Sequence, residues 1–182
     1  PEASREYYSF DGWYTSKSGG EKITASTQVA SKDAHTLYAH WTRKTVKVTY
    51  DAGKGKLSED SIKKYELGNT YEDMTATRQG YVFVGWYTKA NGEGDKVLST
   101  NIVTKEKDHT LYAYWSKDVY TLSFDSCGGD ETDDIMVVYD DEYGTLPEVT
   151  RKYYIFDGWY TKKTGGKQVT EDTIVATADN HT

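Results

Sequence analysis

The stretch Tyr81-Val82-Phe83-Val84-Gly85-Trp86-Tyr87-Thr88 decides how this chain is read, because it occurs three times. It stands earlier as Tyr8-Ser9-Phe10-Asp11-Gly12-Trp13-Tyr14-Thr15 and later as Tyr154-Ile155-Phe156-Asp157-Gly158-Trp159-Tyr160-Thr161. Successive Gly-Trp pairs are 73 residues apart, an arginine precedes each copy at one offset (Arg5, Arg78, Arg151), and a glycine-rich turn follows each. A fixed period sets the unit of folding before any other feature is weighed. The chain divides into residues 1–41, the back half of a repeat; 42–115, a complete repeat; and 116–182, a repeat without its last strand. Since Pro1 falls in mid-repeat, the sequence reads as a piece of a longer protein.

Strict alternation puts Tyr81, Phe83 and Tyr87 on one strand face and Trp86 on the other. A glycine inside a strand marks a bulge or a close backbone approach. A bulge at Gly85 would swing Trp86 to the Phe83 face and into the core; the alternative is a strand buried on both sides. The bulge is the favoured reading. Before this strand, Val46-Lys47-Val48-Thr49-Tyr50 alternates, Asp51-Ala52-Gly53-Lys54-Gly55 is a turn by composition, and Ile62–Leu67 pairs back as a hairpin. Tyr71–Gln79 is a connector with room for a short helical turn. After it come the turn Asn91-Gly92-Glu93-Gly94 and the closing run Leu111-Tyr112-Ala113-Tyr114-Trp115, which is Leu37-Tyr38-Ala39-His40-Trp41 in the first segment.

Four strands per repeat, rich in β-branched and aromatic residues and without a helical apolar period, predict a mainly β fold, with a small α+β variant left open. The predicted repeat core is Phe10, Trp13, Trp41, Phe83, Trp86, Trp115, Phe156 and Trp159. Thr42–Thr45 and Ser116–Val119 read as short linkers, so the repeats form an elongated array.

Aromatics make up 14% of the chain, with 17 Tyr and 5 Trp against 4 Phe. Such rings bury much area at little rotamer cost, which suits modules near the lower size limit for folding alone. The net charge of −7 excludes a nucleic-acid or anionic-membrane surface as the main partner, since both need a basic footprint. No apolar run approaches the ~20 residues of a membrane span. Cys127 is the one cysteine, so no disulfide forms within the chain, and its acidic neighbourhood does not favour a thiolate.

The pattern Gly-Tyr-x-Phe-x-Gly-Trp-Tyr-Thr, then Gly-Gly, then Thr-Leu-Tyr-Ala-x-Trp resembles the Listeria–Bacteroides repeat, which includes the B repeat of internalin-type surface proteins. It stands most fully in Gly80–Thr88, Gly92 and Thr110–Trp115. Tyr7 and Tyr153 replace Gly80 in the other copies, and Glu93 interrupts the Gly-Gly pair. The resemblance implies small β-grasp-like modules in tandem on secreted or wall-anchored proteins, on the outer face of a bacterium. It brings no catalytic residue.

Other constellations carry little chemistry. His35, His109 and His181 each precede a threonine, but one per repeat falls short of the three or four ligands a metal site needs. They read as turn histidines. Asp130-Glu131-Thr132-Asp133-Asp134 and Asp140-Asp141-Glu142 are carboxylate-rich, yet lack the spacing of a calcium loop and read as solvated loops. No nucleophile elbow, phosphate loop or dinucleotide fingerprint is present, so no enzyme and no cofactor are expected. Tyr38, Tyr112 and Tyr114 lie opposite the Leu-Ala-Trp face, either as cross-strand pairs or as an interaction surface.

The expected function is a non-catalytic spacer and protein–protein interaction module in adhesion, with a protein or host-surface partner. The alternative is a carbohydrate or cell-wall module stacking rings on wall glycan. The edge left by the absent last strand is expected to fray or to exchange strands between molecules.

Overall fold

The computed structural model describes residues 1–182, and they form a mainly β protein of several small sheets. In the first segment, β1 (Tyr8–Tyr14) lies between β2 (Lys22–Ile23) and β3 (Tyr38–Arg43), antiparallel to both. The middle segment holds β4 (Thr45–Asp51), β5 (Lys56–Leu57), β6 (Ile62–Glu66), β7 (Ala76–Thr77), β8 (Tyr81–Tyr87), β9 (Lys96–Val97) and β10 (His109–Lys117). Five of these make one sheet in the order β6-β4-β10-β8-β9, while β5 and β7 form a separate ribbon. The repeat is therefore richer than four strands. Only β4 and β10 run parallel, bringing the first and last long strands of the repeat side by side. The last segment has β11 (Val119–Leu122) against β12 (Ile135–Val138) and β13 (Trp159–Tyr160) against β14 (Gln168–Val169).

Alternation on β4 does what the sequence suggests: Val46, Val48 and Tyr50 are buried and their neighbours are not. They pack with Tyr65, Leu67, Met74, Trp86, Val103 and Leu111 in a core cluster of 11 buried residues. Tyr50 and Tyr65 bring polar tips inside and spend them on each other, 2.8 Å apart, while the Glu72 N–H donates to the Tyr65 hydroxyl at 3.1 Å. Burial, then the Tyr65 hydrogen bond, raises the Tyr50 phenol above its ordinary range.

The bulge is present. Trp115 pairs with Phe83 and Tyr114 with Gly85, so Val84 is the extra residue; in β1 the same shift falls between Phe10 and Gly12. Gly85 sits at φ 147°, and a Cβ there would lie 2.6 Å from the Lys96 side chain. Trp86 consequently turns inward, 5% exposed, edge-on to both Phe83 and Tyr50, and its indole N–H donates to the Met74 carbonyl at 2.7 Å.

Two expectations need correction. The Tyr71–Gln79 connector contains no helical turn; it supplies β7, because Ala76 is buried against the core and Leu57 pairs with it. The helical turn is a single 3-10 turn at Ala90–Gly92. The linkers are also shorter than expected. β3 and β10 run on past their tryptophans, so one residue, Lys44 or Asp118, separates each from the next strand.

The last segment shows what β10 contributes. Seven residues of β8 form a strand against β10, whereas the matching run in the last segment keeps only Trp159–Tyr160. Its buried cluster is three residues, Leu122, Val137 and Val175.

Candidate interaction sites

The tyrosines opposite the core face are packed across strands. Tyr87 and Tyr114 meet edge-on with centroids 5.5 Å apart, and the Tyr114 ring lies against Gly92, where a Cβ would come within 2.9 Å. In the first segment Tyr14 and His40 hold the corresponding places and stack at 3.9 Å. Tyr38 lies under Lys17, and Tyr112 sits opposite Tyr87; both are half-buried, while Tyr114 is 37% exposed. Cross-strand pairing therefore accounts for much of their surface.

Among the core candidates, Trp86 is buried. Phe10, Trp13 and Trp41 form one aromatic cluster and Phe83, Trp86 and Trp115 another, each with Phe–Trp centroids 5.3–5.5 Å apart. In the last segment Trp159 is half-buried against Phe124, its indole N–H donating to the Pro147 carbonyl, while Phe156 is exposed.

His109 and His181 are fixed by matching bonds. The Lys107 carbonyl can only accept, so His109 Nδ1–H donates to it at 2.9 Å, and the free Nε2 accepts from the Tyr71 hydroxyl at 3.0 Å. His181 does the same with the Asp179 carbonyl and Tyr143. Burial raises the Tyr71 and Tyr143 phenols. His109 thereby ties the start of β10 to the connector, and His181 ties the residues bridged to Leu122 of β11 to Tyr143, a structural use of the ring. The carboxylates of the acidic loops are likewise dispersed; no three His, Cys, Asp or Glu side chains converge as metal ligands would.

The arginine before each copy now has a role. The backbone turns back on itself as Tyr8, Tyr81 and Tyr154 N–H donate to the carbonyls of Arg5, Arg78 and Arg151. Each guanidinium then stacks on the following tyrosine, at 3.9, 3.4 and 4.0 Å from the ring centroid.

These turns, together with the ends of β3 and β10, build something the sequence reading missed: two joints between segments. At the first joint, Lys44 N–H donates to the Tyr7 carbonyl and Leu67 N–H to the Lys44 carbonyl. The Arg43 guanidinium donates to the Leu67 carbonyl at 2.9 Å and to Asn69 Oδ1 at 3.0 Å. At the second joint, Asp118 N–H donates to the Gly80 carbonyl and Tyr139 N–H to the Asp118 carbonyl. Here Lys117 takes the place of Arg43, its ammonium reaching the Asp140 carbonyl and the Asp141 carboxylate. The Tyr81 hydroxyl donates to Asp140 at 2.7 Å, which raises its phenol, and Asp141 raises the Lys117 ammonium. Asp140 and Asp141, read as a solvated loop, are joint residues. The available signal was the cation two places beyond each closing tryptophan, at Arg43 and Lys117.

The Listeria–Bacteroides repeat domain model matches residues 1–40, 47–114 and 120–182. A protein of Evansella cellulosilytica described as a Gly-rich membrane protein is 33% identical over 175 residues, covering 86% of this chain and 19% of its own length. Internalin H of Listeria monocytogenes is 33% identical over 114 residues, 63% of this chain and 20% of its own. A second membrane protein of Evansella cellulosilytica is 27% identical over 161 residues, 86% of this chain and 23% of its own. The chain thus spans about a fifth of the length of these relatives. No helix in the chain is long and apolar enough to cross a membrane.

Proposed function

The chain belongs to the Listeria–Bacteroides repeat family, and on that premise we propose that it is a non-catalytic, extended spacer and protein-interaction array on a bacterial surface. The observation that carries this reading is the pair of joints. One residue links each segment to the next, and a backbone hydrogen bond on either side of it holds the turn, linker and hairpin in register. A repeat so fastened to its neighbours transmits its orientation along the chain, so added repeats add length. The relatives' descriptions as internalin and membrane proteins support an extracellular placement. Small-angle scattering of chains with two, three and five repeats tests this. The maximum dimension should grow in proportion to repeat number; a constant, compact dimension would sink the spacer reading.

A further inference from the structure

Each joint sets one tyrosine against one glycine, but from opposite sides. Tyr7, Gly80 and Tyr153 hold the same turn position, all with left-handed backbone at φ 64°, 74° and 70°. Across the joint, Leu67–Gly68 corresponds to Tyr139–Asp140. Leu67 and Tyr139 donate to the linker carbonyls of Lys44 and Asp118, and Gly68 and Asp140 to the carbonyls of Val103 and Val175. At the first joint the tyrosine comes from the turn: a Cβ on Gly68 would lie 2.8 Å from the Tyr7 ring. At the second it comes from the hairpin: a Cβ on Gly80 would lie 2.3 Å from the Tyr139 ring.

These contacts exclude one another. A hairpin of the Tyr139–Asp140 kind cannot seat on a turn that bears a tyrosine, because its ring fills the space of that tyrosine's Cβ. Its aspartate Cβ would also meet the turn tyrosine's ring. Tyr153 holds left-handed backbone, which favours glycine, and Gly80 shows that the turn forms with glycine. Within its own turn the Tyr153 ring carries only the Lys152 ammonium, 4.8 Å from its centroid, whereas Tyr7, at the same position, lies against Gly68 across a joint.

We infer that the turn Arg151-Lys152-Tyr153-Tyr154 is a docking surface for the first hairpin of another repeat of this family, one with glycine where the middle segment has Gly68. A Tyr-Asp hairpin is rejected. The joints thus carry a pairing rule that decides which repeats can be neighbours, and the rule stands whether or not the array is a spacer.

Two extensions of the full chain test it. In one, a second copy of residues 37–115 follows Thr182, presenting a Leu67–Gly68 hairpin in phase to Tyr153. In the other, a second copy of residues 111–182 presents a Tyr139–Asp140 hairpin. The readout is the ring-current shift of the joint glycine's Hα protons by NMR, with Gly68 and Gly80 in the same molecule reporting that the parent chain is folded. The added Gly68 should show the upfield shift of the original, and Tyr153→Ala should abolish it. Paramagnetic labels flanking each added joint should report the fixed first-joint distance in the first chain and a broad distribution in the second. A fixed distance in both chains, or in neither, would overturn the inference. Within the native chain, Gly80→Tyr should break the second joint, and adding Tyr139→Leu and Asp140→Gly should restore it; a triple variant no better than the single would count equally against the rule.

Discussion

Left-handed backbone at a few residues carries much of the local geometry. Gly53 and Cys127 occupy one place in the opening turn, at φ 58° and 54°, each with its N–H held by an aspartate two residues back, Asp51 or Asp125. Cys127 is exposed. Its amide bonds Asp125 and its carbonyl accepts from Arg151. Since an L-residue in this region costs roughly 1–2 kcal/mol that glycine avoids, Cys127→Gly should stabilise the chain by about 0.5–1 kcal/mol after the added unfolded-state entropy is counted. Urea denaturation of the two proteins would measure this, and a lower midpoint for the glycine variant would show that the thiol has a packing role.

Element by element, the sequence was informative where a pattern is local. The alternation of β4, its hairpin with β6, and the Gly85 bulge were all readable, because burial of one face fixes period and register. The ribbon of β5 and β7 was not, since two-residue strands carry no period. The parallel pairing of β4 with β10 is a contact between residues some sixty places apart, and no local signal marks it. The joints were hidden for a related reason: Arg43, Lys117 and Asp141 look like ordinary surface charges until topology brings them together. The weight of β10 can be tested directly. Leu122, Phe124, Tyr143, Phe156 and Trp159 line an open groove beside β11. The corresponding residues of the middle segment enclose Leu111, Ala113 and Trp115 of β10. A peptide with the sequence of Thr110–Lys117 should bind there, raise the melting temperature of the last segment and protect Phe156 amides from exchange. A peptide with Leu111 and Trp115 replaced by serine should do neither; equal binding by both would dismiss strand exchange.

At the scale of the whole molecule, two properties follow from summing these parts. Tyr50, Tyr71 and Tyr143 have phenols raised by burial. Above pH ~10 the unfolded chain releases phenolic protons that the native chain keeps, so the unfolded state binds fewer protons and stability falls as pH rises. Urea midpoints should hold between pH 7 and 9 and drop by pH 11, with Tyr50→Phe flattening the drop; an unchanged midpoint at pH 11 would contradict this. Coupling between segments is the second property. The middle segment has 11 buried core residues and the last has three, so alone they would melt far apart. The second joint ties the weak one to the strong one through Asp118, Lys117 and the Tyr139 ring on Gly80. Nearest-neighbour coupling of this kind merges transitions. The native chain should therefore unfold with the amides of β8 and β12 losing protection together. In Lys117→Ala/Tyr139→Ala, β12 should open at lower urea while β8 stays put. Separate transitions already present in the native chain would mean that the joint aligns the segments without sharing their stability.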